Sequence, residues 1–223
     1  MQSQMGFNTA SQSSAIEINK VLRNTYMLLS MTLAFSAVTA GISMAMGLPH
    51  GAALIMMLVS FGLLFVVHKQ ADKANGIYWI FAFTGLMGAS LGPMLNAYAS
   101  MPGGGALIMQ ALGGTALIFF ALSAYALTSK KDFSFMGGFL MVGLIVAVIA
   151  SIANIFLGIP ALSLAVSAAI IMVMSGLILF DTSRIIHGGE TNYIRATVSL
   201  YLNIYNIFVH LLHLLAVLSG NDD

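Results

Sequence analysis

Seven long apolar stretches, broken by short polar or glycine- and proline-containing links, run along the chain from Thr25 to Leu218. Their edges predict spans at Thr25–Gly47, Gly51–Val67, Ile77–Ala99, Gly105–Leu127, Ser134–Leu157, Ala161–Phe180 and Thr197–Leu218. Each is close to the ~20 residues that carry a helix across ~30 Å of hydrocarbon. A helix is the expected form, because an unpaired backbone amide in lipid costs several kcal/mol and a helix pairs its own. A β-barrel needs strands of about ten residues alternating polar and apolar, and no stretch alternates in that way. The pattern predicts an all-α membrane protein with seven transmembrane helices.

The charges orient it. All eight Lys and Arg residues fall in alternate links: Lys20 and Arg23, Lys69 and Lys73, Lys130 and Lys131, Arg184 and Arg195. Insertion keeps Lys- and Arg-rich short loops in the cytoplasm. The expected arrangement is therefore a polar cytosolic tail over residues 1–24, a seven-helix transmembrane domain over 25–219, and a short outer tail over 220–223 that ends in Asp222 and Asp223. The N-terminus is then cytoplasmic and the C-terminus external. Residues 1–24 are Ser- and Gln-rich and lack the layout of a signal peptide, so the first span reads as an uncleaved anchor.

Composition narrows the picture further. Hydrophobic residues make up 59% of the chain and charged ones 7%, against roughly 25% charged in an ordinary soluble domain. No soluble domain remains outside the spans. The cationic residues come in ones and twos, so no basic patch suits nucleic acid. Cysteine is absent, which excludes disulfides, thiolate metal sites and cysteine nucleophiles.

The outer links are short and uncharged: Leu48-Pro49-His50, Met101-Pro102-Gly103-Gly104 and Gly158-Ile159-Pro160. They predict antiparallel hairpins of spans one and two, three and four, and five and six. The inner links carry nearly all the charge. The last of them, Asp181–Ala196, reads as the longest and most polar, and as the place for any chemistry at the membrane surface. In the third span, Pro93 predicts a kink near Ala89–Pro93. Gly88 and Gly92 form a small-xxx-small face that invites a close helix neighbour.

Few residues offer chemistry. Asp181 closes the sixth span near the cytosolic boundary, with Arg184 three residues on and able to pair with it. One reading is an interfacial ion pair that ends the span; the other is a gate or cation-binding carboxylate facing the bundle. The seventh span carries Ser199, Tyr201, Asn203, Tyr205, Asn206, His210 and His213. So polar a helix is expected in the middle of the bundle, ringed by the other six, with Asn203 at a depth comparable to that of Asp181. Its polar groups read either as interhelical hydrogen-bond glue or as the lining of a polar path, with Asp181, Asn203, Arg184 and Asn206 as candidates. His210 and His213 lack the third ligand that zinc normally needs, so no metal is expected. Gly88-Ala89-Ser90-Leu91-Gly92 fits G-x-S-x-G, but inside an apolar helix rather than on a strand-to-helix turn. Ser90 and His210 sit at matching depths, roughly 20 Å from the inner ends of their spans, which leaves an intramembrane serine–histidine pair to be tested. His187-Gly188-Gly189-Glu190 lacks the Walker pattern and reads as a turn. Neither an enzyme nor a cofactor is expected.

The stretch from Ser175 to Leu211, with its Phe180-Asp181 pair and Leu200-Tyr201-Leu202-Asn203 run, resembles the terminal signature of the Bax-inhibitor-type (TMBIM) membrane family. Gly114-Thr115-Ala116 through Tyr125, followed by Lys130-Lys131-Asp132-Phe133-Ser134-Phe135, is similar to that family's fourth and fifth helices. Val21–Ala37 and His187–Tyr201 most resemble the bacterial branch that modulates the membrane-bound AAA+ zinc protease FtsH. The resemblance implies seven helices with the seventh central, a bacterial inner-membrane location with a periplasmic C-terminus, and FtsH with its associated membrane complex as partners beside lipid. For many members it implies a pH-sensitive calcium leak gated by two aspartates. The first falls on Asp181 and the second on Asn203, which is not an acid, and Asp and Asn cannot share a proton as two carboxylates do. Two functions follow: a regulator that binds FtsH, as a slowly degraded competing substrate with residues 1–24 as an unstructured handle, or a cation leak with Asp181 as gate.

Overall fold

In the computed structural model, residues 2–220 are described, with side chains from Ile16 onward. Seven helices follow one another: α1 (Gln2–Ala45), α2 (His50–Gln70), α3 (Gly76–Ala99), α4 (Gly104–Ser129), α5 (Met136–Leu157), α6 (Pro160–Ile186) and α7 (Tyr193–Ser219). All seven are long and apolar enough to cross a membrane, α1 over Ile16–Ala45. The outer tail expected at 220–223 lies, beyond Gly220, outside the described residues.

The helix ends follow local chemistry. Gly47 and Gly158 adopt positive φ (61° at both), and Gly158 returns its N–H to the Asn154 carbonyl to close α5. Pro160 then occupies the first turn of α6, where its missing N–H costs nothing. Asn192 caps α7, its side-chain oxygen accepting from the amides of Ile194 and Arg195 at 2.9 and 3.1 Å.

Three differences from the expected spans matter. First, α1 starts at Gln2, so the tail expected to be unstructured is helical from there on, because no proline or glycine interrupts the chain between Phe7 and Ala40. Second, α6 continues beyond Asp181 to Ile186 and α7 begins at Tyr193, so the last connection is 187–192, no longer than the one at 130–135. Asp181 therefore lies inside a helix rather than at the start of a loop. Third, α1 and α2 do not pack together among the described residues; α3 packs against both, whereas α3 with α4 and α5 with α6 do touch.

The position of α3 rests on its small residues. A Cβ added at Gly88 would lie 2.2 Å from the Ser36 carbonyl oxygen, and one at Gly92 would lie 2.2 Å from the Ser43 hydroxyl and 2.8 Å from the Met44 amide. The α3 backbone rests directly on the backbone and the short hydroxyl side chains of α1. Asn96 adds a hydrogen bond to the Met44 carbonyl at 2.8 Å. The helix runs unbroken through the buried Pro93.

The most extensive apolar core gathers Leu29, Ile80, Phe83, Ile178, Leu200 and Ile207 from α1, α3, α6 and α7. Among the described residues, α7 packs against α1, α2, α3, α4 and α6 but not α5, which touches α6 alone. The expected ring of six neighbours is thus a set of five, because α6 stands between α5 and α7.

Gly88→Leu is expected to separate α1 from α3 and to cost at least ~1–3 kcal/mol, the usual penalty for overpacking. Gly62→Leu, where a Cβ meets nothing within 4 Å, should be tolerated. Thermal unfolding of the two purified variants in detergent checks the contrast.

Candidate functional site

α6 and α7 bring their polar residues together at one level. The Asn203 amide nitrogen donates to Asp181 Oδ2 at 2.8 Å. Asn203 is buried and Asp181 half-buried. One turn along α6, Arg184 forms no salt bridge with Asp181. It lies 3.9 Å from Glu190, donates to the Gly189 carbonyl at 3.1 Å, and sits 5.6 Å from the centroid of the Phe180 ring. The ion pair expected from i, i+3 spacing gives way to contacts within the 187–192 loop, because that loop folds back over the end of α6. Asn206 donates to the Leu202 carbonyl of its own helix at 2.8 Å and does not reach Asp181.

Two residues before Asn203 on α7, and so on another face of the helix, the fully buried Tyr201 hydroxyl lies 2.7 Å from Ser36 Oγ on α1 and 3.3 Å from the Thr84 carbonyl on α3. Three helices meet at this oxygen. Thr197 extends the seam, its hydroxyl bonding the Tyr193 carbonyl at 2.7 Å and approaching the Thr25 carbonyl at 3.3 Å. Tyr26 and Thr182 place their hydroxyls 3.5 Å apart across α1 and α6.

Beyond the Asp181–Asn203 pair, the 71–75, 130–135 and 187–192 connections are tied down by side chains. Asn192 donates to the Ala71 carbonyl at 2.9 Å and to Asp72 at 2.8 Å, and Arg195 forms a salt bridge with Asp72. Ser183, fully buried near the end of α6, accepts from the Phe133 amide at 3.0 Å and approaches the Lys131 carbonyl at 3.3 Å. Asp132 accepts from the Ser134 amide at 2.8 Å, and its hydrogen bonds with Ser134 hold its carboxyl below the usual carboxylate range. Asn192 escaped the reading of the sequence, although an Asn just before a helical run is a capping signal.

Several arrangements do not form. The Ser90 hydroxyl bonds the Met87 carbonyl of its own helix at 2.7 Å and faces Tyr205 at 3.4 Å, while His210 faces Ser167. The serine–histidine pair suggested by matching depths is not assembled, since the two side chains leave their helices toward different neighbours. His210 and His213 each take a serine of α6, at 3.2 and 3.0 Å. Among the described residues, no group of three or more His, Cys, Asp or Glu is placed to hold a metal.

The site can hold one half-buried carboxylate against one amide donor, under a polar belt that clamps the helix ends. Calcium takes six to eight oxygen ligands; here a single carboxylate is offered, and the amide turns its nitrogen toward it.

Comparison with known proteins places the chain. It is 56% identical over 208 residues to a protein of Escherichia coli (strain K12) named modulator of FtsH protease YccA, covering 93% of this chain and 94% of that protein. An equally similar protein from Escherichia coli O6:H1 is named inner membrane protein YccA. A membrane protein of Vibrio cholerae is 52% identical over the full length of both chains. The relatives that carry a functional name are named as a modulator or as membrane proteins, not as enzymes. The family model described as inhibitor of apoptosis-promoting Bax1 matches residues 18–220, and the chain belongs to that Bax inhibitor family.

Proposed function

We propose that this chain is a multi-pass inner-membrane regulator that binds the membrane-bound AAA+ protease FtsH, with its associated membrane complex, and occupies it as a slowly degraded competing substrate. The observation that carries this reading is the identity of 56% over 93% of the chain to a protein named as modulator of that protease. The name inner membrane protein borne by the second relative supports the location.

The N-terminus is assigned to the cytoplasm and the C-terminus to the periplasm, on the strength of the Lys and Arg residues in alternate links. α7 is assigned to the centre of the bundle, which its five helix neighbours support. In this orientation residues 1–24 are a cytosolic handle, the feature that a pulling ATPase needs to begin on a membrane substrate. The belt of inner connections lies at the same surface.

The second reading is a cation leak gated near Asp181, with Asn203, Arg184 and Asn206 along a polar path and calcium as the ion. It is favoured by a carboxylate held inside the helical bundle, a costly arrangement that marks ion pathways in other membrane proteins. It is weakened by the single carboxylate, since the partner that would share a proton is an amide.

Deleting residues 1–20 separates the two readings. The regulator is expected to lengthen its half-life severalfold and to lose its effect on the protease's other substrates, as read by pulse–chase in cells; unchanged turnover and output would sink the competing-substrate mechanism. A leak survives the deletion. For the leak, calcium flux into liposomes should exceed that of empty liposomes and change in Asp181→Asn; equal flux in variant and wild type removes Asp181 as gate. Independently of either function, Asn203→Leu leaves a half-buried carboxylate without its donor and should cost roughly 1.5–3 kcal/mol, the range for hydrogen bonds to charged groups. Asn206→Leu, which loses only a bond within its own helix, should cost less than about 1 kcal/mol. Melting temperatures of the two proteins in detergent check the order.

A further inference from the structure

A second polar region lies at the other end of the bundle, away from Asp181. Because α5 touches only α6 among the described residues, a space remains between α3, α5, α6 and α7, forming a cavity of ≈ 390 Å³. It is lined by His210 and His213 from α7, Ser163 and Ser167 from α6, Tyr98 from α3 and Asn154 from α5. No Lys, Arg, Asp or Glu is among its lining residues. The titratable groups that face it are the two imidazoles and Tyr98; α5 and α6 contribute only hydroxyl, amide and apolar groups.

Each imidazole has one nitrogen engaged. His210 Nδ1 lies 3.2 Å from Ser167 Oγ, and His213 Nε2 lies 3.0 Å from Ser163 Oγ. The other nitrogens, His210 Nε2 and His213 Nδ1, have no hydrogen-bond partner among the described residues. In a neutral imidazole one nitrogen is an acceptor, and a serine hydroxyl can donate to it. In an imidazolium both nitrogens are donors. The serine must then accept, which frees its own proton to point elsewhere.

We propose that this chamber is a binding site for a small inorganic anion, assembled when His210 and His213 are protonated. Protonation adds one donor to each His–Ser pair: a neutral ring leaves either its uncommitted nitrogen or the serine hydroxyl able to donate into the space, and the imidazolium frees both. Four donors then face a space that contains no carboxylate. Two imidazolium groups three residues apart on one helix repel each other strongly where the dielectric is low. With no acidic side chain to neutralise them, an anion from solution is the available counter-charge. A cation is poorly served at any pH: the lining offers two imidazoles where zinc wants three or four ligands, and no carboxylate for calcium. Anion binding and protonation are thereby linked, each favouring the other.

The test uses the purified full-length protein in detergent, with chloride as the probe. Melting temperatures are compared in sodium chloride and in sodium gluconate at equal ionic strength, at about pH 4.5 and about pH 8, the acidic value set low because burial disfavours an imidazolium. The expected result is a chloride-dependent rise of roughly 3 °C or more at the acidic pH and none at the basic one, the size that ligand binding in excess gives a protein of this length. His210→Gln/His213→Gln should abolish the rise while eluting from gel filtration as the wild type does. Should that variant fail to fold, the wild type decides alone, because an equal chloride effect at both pH values, or none at either, overturns the proposal. Stabilisation by zinc sulfate at the basic pH, in place of chloride at the acidic one, overturns it as well.

Discussion

A polar group surrounded by hydrocarbon has to find its partner within the protein, since lipid offers none. The neighbours of α7 follow from this constraint. Asn203 reaches Asp181 on α6, Tyr201 reaches Ser36 on α1 and the Thr84 carbonyl on α3, Tyr205 faces Ser90 on α3, and the two histidines reach serines on α6. Each bond fixes both the rotation of α7 about its axis and its depth against a particular helix. The apolar contacts of Leu200 and Ile207 are compatible with many rotations. The hydrogen bonds select one.

Helix termini at both ends of the bundle combine local backbone devices with borrowed side chains. At the end that bears the lysines and arginines, Asn192 reaches the Ala71 carbonyl and Ser183 of α6 accepts from the Phe133 amide. At the other end, glycine in the left-handed region and proline at the first turn, as at Gly158 and Pro160, are joined by Asn96 on the Met44 carbonyl and Asn154 on the Ile159 amide. A connection built from its own backbone can be short. One built from borrowed side chains requires its neighbours to be in place, which couples the 187–192 connection to 71–75 and the 130–135 connection to the end of α6.

Much of this was legible in the residues. Seven spans, the level shared by Asp181 and Asn203, and the small-residue face at Gly88 and Gly92 follow from hydropathy, helix rise and side-chain size. The extent of α6 was not legible, because hydropathy falls at Asp181 whereas the helix persists to Ile186. It persists because Thr182 and Ser183 are fully buried and face partners on α1 and the 130–135 connection, contacts that no local pattern reveals. The same reason explains Arg184: spacing offered it Asp181, and a loop folding back offered it Glu190. The packing of α1 against α3 rather than α2 was also hidden, since a short link shows that two helices are joined but not that they touch. The choice of serine partners for His210 and His213, and so the failure of Ser90 to meet His210, depends on rotations about helix axes that a single sequence does not fix.

The isolation of α5 has a consequence for the order in which the bundle can form. Emerging in chain order, α5 enters the bilayer before α6, the only helix it touches among the described residues, exists. It must therefore persist for a time with lipid on every side. Its composition suits that wait: over its best window it is the most apolar of the seven and among the least buried. α7 is the opposite case. Its asparagine and tyrosines have partners on α1, α3 and α6, all synthesised earlier, so the helix with the greatest need of protein company arrives when that company is complete.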